Sequence, residues 1–361
     1  GGSAGHAPDG RSGPGTARGG LRPGPTVGVM TSTPAVASLS ARPIDDPQAL
    51  IDTEIEVGPP GPHDLLVDVR AVSVNPVDGK VRNSFESTGE PKVLGFDAAG
   101  VVRETGAEVT AFAPGDEVYY AGSIARPGSN AHAQLVDSRI VGHKPATLDF
   151  AAAAALPLTA ITAWECLFDK LRLGAGSTGT LLVVSAAGGV GSMVMQLARA
   201  RTGLRVIGTA SRAESAEGAR AMGAHEIADH HDLVPSVGKV APDGVQYVFS
   251  PVSEGNVDAY VELLTPRGEV VAIDEPEGLE LLGLKDKSLS WHWELMFTRP
   301  LFEPESTAQR DLLDEVARMV DAGELRSTET ARLPGLTADT VREAHRRIES
   351  GSTVGKIVIE R

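Results

Sequence analysis

Cysteine is almost missing from this chain. Its 361 residues hold one, Cys166, which excludes an internal disulfide framework and any metal site built from several thiolates. One lone thiol suits a reducing compartment, so the cytoplasm is the expected location. No apolar run approaches the ~20 residues that a membrane span needs. Positive charge is also short: the net charge is −15, and so acidic a surface repels nucleic acid and anionic membrane, which points to a small or local partner. Otherwise the balance is that of an ordinary soluble protein, with 41% hydrophobic and 22% charged residues. The length predicts two domains with ample sequence for real cores.

Residues 1–29 are nearly free of large apolar side chains and are rich in Gly and Pro. They cannot offset their own ordering entropy, so a disordered tail is expected. There is no apolar h-region and hence no secretory signal, and the arginines give only a faint transit-peptide flavour. An appended tail or an upstream extension ahead of a start near Met30 is the reading adopted, and the fold is read from Met30.

Residues 30–150 carry short strand-like segments broken by turn residues: "LIDTEIEV", "DLLVDVRAVSVN", "AAGVVRETG", "DEVYYAG" and "AQLVDSRIVGH". They predict a small β-barrel. "DFAAAAALPLTAITAWECLFDKLRL" then reads as helix divided by Pro157. From 151 to 296 strands and helices alternate, which predicts an open, doubly wound parallel sheet. From 297 to 361 come two amphipathic helices, one with Leu312, Leu313, Val316, Met319 and Val320 on one face, and a closing strand "GKIVIE". A lone terminal strand needs a partner, so this last segment is expected to return to the first domain.

"LLVVSAAGGVG" ends a strand and opens a helix. Against G-x-G-x-x-G it places Ala186, Gly188 and Gly191, so the first glycine is alanine. The turn Ala187, Gly188, Gly189, Val190 and Gly191 would set N–H groups and a helix N-terminus against a pyrophosphate. The next strand, "RVIGTAS", lacks the terminal carboxylate that accepts from the ribose 2′-OH of NAD. Ser211 and Arg212 stand there instead, a hydroxyl and a guanidinium suited to a 2′-phosphate. NADPH is the expected cofactor. "VLGFDAAG" (Val93 to Gly100) poses a different question, a carboxylate, Asp97, within a run of small residues.

"NPVDGKVR", "LGFDAAGVV", "GDEVYYAG", "GSNAHAQLVD", "LPLTAITAWECL" and "AAGGVG", in this order, resemble the medium-chain dehydrogenase/reductase superfamily, and within it the quinone oxidoreductase branch. The later "SLSWHWELMFTR", "EVARMVDAG" and "ESGSTVGKIVI" resemble a subgroup carrying a zinc-binding alcohol dehydrogenase label. The likeness covers Met30 to Arg361. It implies an α/β chain with a GroES-like barrel built from both chain ends, an inserted Rossmann domain, a nicotinamide cleft between them, and a homodimer joined near "SLSWHWEL". Zinc-using relatives draw ligands from the segment matching "SVNPVD" and from a G-H-E histidine. This chain has Asn75 near the first and Phe96 at the second, Cys166 matches neither, and the four-cysteine zinc lobe is absent. No metal is expected, and the adjacent His230 and His231 read as an exposed turn.

Without a metal, reduction of an activated, apolar acceptor remains feasible: a quinone, or the C=C of an α,β-unsaturated carbonyl. Hydrogen-bond donors must then meet the charge that grows on oxygen. Asn75 and Lys80 are the candidate catalytic donors, Lys80 because a related reductase pattern places Tyr or Lys there. Otherwise Lys80 is a surface lysine after an Asp78-Gly79 turn. Asp78 reads as structural. Thr159 falls where relatives approach the nicotinamide, or else caps a helix. Tyr119 and Tyr120 read as core or cleft wall, Trp291, Trp293, Met296 and Phe297 as acceptor wall or dimer edge, and His132 as a hydrogen-bonded barrel residue. Asp97 is expected to bond backbone or a cation such as Lys80 or Arg82. Two alternatives stay open: a zinc-type alcohol dehydrogenase, and a non-catalytic NADPH-binding redox sensor.

Overall fold

The computed structural model describes residues 29–361; the tail expected over residues 1–29 lies outside them but for Val29. Eight strands come first: β1 Thr31–Ser38, β2 Ile51–Val57, β3 Asp64–Ser73, β4 Lys92–Val93, β5 Ala98–Thr105, β6 Glu117–Tyr120, β7 Ala133–Asp137 and β8 Val141–His143. Helix α1, Pro76–Ser84, sits between β3 and β4. Then follow α2 Phe150–Ala154, α3 Pro157–Trp164, β9 Thr180–Val183, α4 Gly189–Arg201, β10 Arg205–Thr209, α5 Ala213–Ala221, β11 Glu226–Ala228, α6 Leu233–Val240, β12 Val245–Ser250, α7 Val257–Leu263, β13 Leu264–Ala272 and β14 Ser290–Trp293. Helices α8 Thr298–Phe302 and α9 Ala308–Asp321, strand β15 Glu329–Pro334, helix α10 Ala338–Glu349 and strand β16 Lys356–Glu360 complete the chain.

Strand β3 organises the barrel. It is a valine-rich, largely buried strand that pairs antiparallel with β5, β7 and β16. The sheet order is β15-β16-β3-β5-β6-β8, beside a smaller sheet β2-β1-β4. Val67, Val69, Val118, Val141 and Ile357 share one core, so residues from both ends of the chain build one GroES-like barrel. The closing strand finds its antiparallel partner in β3, as its apolar run requires.

The second sheet runs β11-β10-β9-β12-β13-β14 and is parallel throughout. Leu181, Leu182 and Val183 of β9 are buried, the apolar run of a strand covered on both faces. The chain enters at β9, winds out to β11, then crosses back to β12. That reversal opens a crevice at the strand C-termini, where a Rossmann sheet holds its ligand. Strand β14 stands at the sheet edge.

Pro157 divides the helical run as its missing N–H demands. The run Phe150–Lys170 nevertheless spans 21 residues and is apolar and long enough, by length and composition, to cross a membrane. This corrects the expectation that no segment approaches that length. Most of it is buried inside the protein, α3 packing on α4 and α9 and α2 on β3 and β5, so it is a core helix between the domains. Past Trp164 it widens into a π-helical turn, Glu165–Lys170. The apolar face of α9 is buried at Leu312, Leu313, Val316, Met319 and Val320.

At "VLGFDAAG" the backbone turns through Gly95, whose φ is +110°. A Cβ there would lie 2.8 Å from the Asn130 backbone nitrogen, so only glycine fits. The turn sends Phe96 inward, where its ring meets Phe297 edge-on at 5.4 Å. "NPVDGKVR" is also sharper than its sequence suggested. No Asp78-Gly79 turn forms; the segment is helix α1, with proline at its start and the Asp78 carboxylate accepting the Asn75 backbone N–H at 2.8 Å.

Candidate cofactor and substrate cleft

Strand β9 hands over to α4 through a tight turn. Ser185 takes a left-handed φ of 53°, and Gly188 serves as N-cap of α4. A Cβ at Gly191 would sit 2.7 Å from the Ser185 carbonyl oxygen and 2.8 Å from that of Ala186. Glycine there lets helix and strand close on each other. The backbone N–H groups of Val190 and Gly191 meet no acceptor among the described residues, as expected of a helix's first turn, while Gly188 forms a parallel bridge with Gly355.

A depression of about 700 Å³ opens beside this turn, lined by Ala187 and Gly188 and by Ser211 and Arg212 at the end of β10. Four of the residues singled out in the sequence thus come together. Sequence reasoning missed three others on its rim: His230, Ser352 and Thr353. His230 belongs to an exposed turn after β11, as expected, but that turn faces the depression. The serine–threonine run "SGST" ahead of β16 was the available signal for the other two. Arg212 Nη2 donates to the Ser352 carbonyl at 2.8 Å, so a guanidinium of one domain already touches the other.

On the far side of the same turn lies a second cleft of about 590 Å³, lined by Asn75, Lys80, Thr162, Val190, Met296 and Phe297, with Glu294 at its wall. Lys80 is half exposed at the rim, its Nζ 3.8 Å from a carboxylate oxygen of Glu275. Thr159 is not on the cleft wall. It is buried beneath Gly189, and its hydroxyl donates to the Leu156 carbonyl at 3.1 Å. Glu294 is 7% exposed. Burial first, and then its neighbour Glu165, push its carboxyl up to about 9, so it carries a proton at neutral pH.

The floor of this cleft holds a buried polar cluster that the sequence reading did not assemble. Lys356, the first residue of β16, is 2% exposed. Its ammonium donates to Asn75 Oδ1 at 2.7 Å and to Asp97 Oδ2 at 2.7 Å. Asn75 Nδ2 donates to Asp97 Oδ2 at 2.8 Å. The other oxygen of Asp97 accepts the Leu158 N–H at 2.7 Å, in the first turn of α3, a helix start whose own N-cap residue offers no side chain. The carboxylate therefore caps a helix from across the domain boundary. The backbone bond expected of Asp97 is thus found at Leu158, and only the expected cation is corrected, Lys356 standing in place of Lys80 or Arg82. Lys80 turns to Glu275, and Arg82 is spent on Glu349 at 2.8 Å and on His345 Nδ1 at 2.6 Å. Burial pushes the Asp97 carboxyl up, against the pull of Lys356. Burial likewise raises Asp78 to about 7, and its Oδ1 has no partner among the described residues.

Of the remaining candidates, the tyrosines, the tryptophans and His132 fall outside the cleft. The Tyr119 hydroxyl donates to the Leu313 carbonyl at 2.5 Å and that of Tyr120 to Gln134 Oε1 at 2.9 Å, both in the core. Trp291 and Trp293 stack edge-on at 5.7 Å along β14, while Met296 and Phe297 do wall the cleft. At His132 it is the backbone that bonds, its carbonyl accepting from Val69 N–H and from Arg361 and its N–H donating to the Pro34 carbonyl. The side chains do not fit a catalytic zinc. Phe96 projects into the core, Cys166 is buried in the π-helical turn, and the oxygens of Asn75 and Asp97 already accept from an ammonium. Among the described residues no three His, Cys, Asp or Glu side chains converge as a metal set.

Two family models match: an alcohol dehydrogenase GroES-like domain over residues 61–156 and a zinc-binding dehydrogenase over residues 222–359. A zinc-type alcohol dehydrogenase-like protein of Staphylococcus aureus is 40% identical across 82% of this chain and 90% of its own length. A quinone oxidoreductase of Pseudomonas aeruginosa is 31% identical across 87% of this chain and 96% of its own. The solved structure of a Rhizobium etli protein, described provisionally as a zinc-dependent alcohol dehydrogenase, is 46% identical with a TM-score of 0.88, covering 92% of this chain and 99% of that one.

Proposed function

We propose, from the premise that this chain belongs to the medium-chain dehydrogenase/reductase superfamily in its quinone oxidoreductase-like branch, that it is an NADPH-dependent reductase of quinones or of the C=C bond of α,β-unsaturated carbonyl compounds, working without zinc. The observation that carries this reading is the placing of two depressions on either side of one helix turn. Gly188 borders the depression that also holds Arg212, and Val190, two residues on, borders the apolar cleft with Asn75 and Lys80. A dinucleotide laid across that turn would set its adenosine 2′-phosphate near Ser211 and Arg212 and its nicotinamide in the apolar cleft.

When bound, the reduced nicotinamide supplies a hydride to the acceptor. The protein's own residues do the rest. The turn from Ala187 to Gly191 binds the pyrophosphate through backbone N–H groups, with Thr159 holding the start of α4 from below. Val190, Met296 and Phe297 offer an apolar wall that excludes water from an apolar, electrophilic acceptor. The amide of Asn75 donates to the acceptor oxygen on which negative charge develops. Lys80, at the rim, delivers the proton that completes the reduction and recovers it from solvent.

The test is oxidation of NADPH followed against a panel of quinones, enals and enones. Turnover of at least one class is expected. NADPH binding with no turnover across the panel would mark a redox sensor instead. The names of the relatives favour one competing reading, a zinc-type alcohol dehydrogenase. Stoichiometric zinc in protein purified without added metal would establish that reading. The domain divisions at 150 and 296, a cytoplasmic location and a homodimer joined at the β14 edge belong to the same proposal. The half-exposed Trp293 supports the last of these.

A further inference from the structure

We propose that Lys356 is a positioning residue that locks the Asn75 amide with one N–H aimed at the acceptor. This rests on the reading of Asn75 as a donor in the cleft. An asparagine amide can turn over with little change of shape, and its two ends then exchange roles. Here each end faces a neighbour that allows one choice only. The Lys356 ammonium has donors and no acceptor, so it holds Oδ1, at 2.7 Å. The Asp97 carboxylate accepts only, so it holds Nδ2, at 2.8 Å. The nitrogen carries two protons. One goes to Asp97, the other has no acceptor among the described residues, and Asn75 lines the cleft.

The ammonium also sets the strength of that N–H. A positive charge on the carbonyl end of an amide draws electron density through it and makes the far N–H a better donor. Lys356 is itself held fast. Its aliphatic stem passes beneath α4, where a Cβ at Gly189 would come within 2.6 Å of its Cδ. The neighbouring Gly355 N–H donates to the Ala187 carbonyl at 2.8 Å. The same strand end therefore touches the cofactor turn and the donor, and ties the spacing of one to the other.

Removing Lys356 alone would leave Asp97 buried and unpaired, and the protein could fail to fold. The test variant is therefore Lys356→Met combined with Asp97→Asn, which removes both charges together, compared with Lys356→Arg. With 9,10-phenanthrenequinone as acceptor, the double variant should keep its NADPH Kd within about twofold while kcat falls by about 10². Lys356→Arg, which keeps a donor-only cation, should recover part of that loss. A second readout needs no ligand. The side-chain amide of Asn75, observed by NMR in Asn-labelled protein, should be protected from hydrogen exchange in the wild type and lose that protection in the double variant. A folded double variant with wild-type kcat, or with an equally protected Asn75 amide, overturns the proposal. Should the wild type reduce no acceptor at all, the proposed function fails, and the exchange readout still decides whether Lys356 locks the amide.

Discussion

Replacing Arg212 with alanine puts the cofactor assignment at risk. Arg212 is exposed and bonded to the Ser352 carbonyl. To hold a 2′-phosphate it must give up or share that bond. A charge-assisted hydrogen bond contributes about 1.5–3 kcal/mol, and the neutral carbonyl bond surrendered about 1 kcal/mol. The net gain is about 0.5–2 kcal/mol, or about 2- to 30-fold in Kd. Arg212→Ala should weaken NADPH by that factor and leave NADH unchanged, because NADH has no 2′-phosphate. The difference should shrink as salt rises, since the site is open to solvent. Titrating both coenzymes by fluorescence, with wild type and variant at low and high ionic strength, reads all three effects. An unchanged NADPH-to-NADH ratio would sink the assignment. Equal weakening of both coenzymes would do the same, and would show instead that Arg212 acts through its contact with Ser352.

Three further outcomes follow from the geometry. In Gly189→Ala the new methyl would meet Lys356 and Thr159; overpacking of this kind costs about 1–3 kcal/mol, so thermal melting should fall by several degrees and NADPH should bind more weakly, and an unaltered melt would show that the helix start is looser than described. Phe96→Ala removes the edge-on partner of Phe297 from a fully packed site, with an expected loss of about 3–5 kcal/mol in denaturant titration; a loss below about 1 kcal/mol would show that the site collapses freely. Asp78 and Glu294 are both raised, to about 7 and about 9, so the folded state holds protons there that the unfolded chain releases near pH 4. Each contributes stability that is full below that pH and lost as pH rises through the folded value, by up to about 1.4 kcal/mol per pH unit. Urea midpoints measured from pH 5 to 9 should fall with rising pH, and Asp78→Asn and Glu294→Gln should flatten the curve below about 7 and below about 9 respectively. A slope unchanged in both variants would assign the dependence to other groups.

What could be read from the sequence was whatever is written locally. The glycines of "AAGGVG" and the apolar runs of β9 to β13 specify their own turn and their own sheet, because a Cβ or a charge at those places would obstruct it. The apolar face of α9 was legible at helical spacing for the same reason. Asp97 could be recognised as an odd carboxylate among small residues, but its partner could not. Lys356 lies 259 residues further along the chain, and a lysine opening an apolar strand looks like any solvated strand end. Only the laying of β16 between β15 and β3 carries it inward. Ser352, Thr353 and His230 were hidden in the same way, each in a polar segment whose neighbours are set by strand order. Glu294 gave no sign of its burial, because the proximity of Glu165 depends on how the π-helical turn is aimed.

The place of Lys356 after every strand of the parallel sheet has a consequence for biosynthesis. Domains fold as the ribosome releases them, the N-terminal parts first. The parallel sheet has all of its strands as soon as β14 emerges, but the barrel cannot close, nor the donor be fixed, until β16 is out. A nascent or prematurely terminated chain therefore has its glycine turn while the Asp97 carboxylate still lacks its cation. Loss of β16 alone should yield a product that quality control can tell from the mature protein by its open barrel edge, with Ala71 to Ser73 of β3 left unpaired on the side where β7 holds only Asp64 to Asp68.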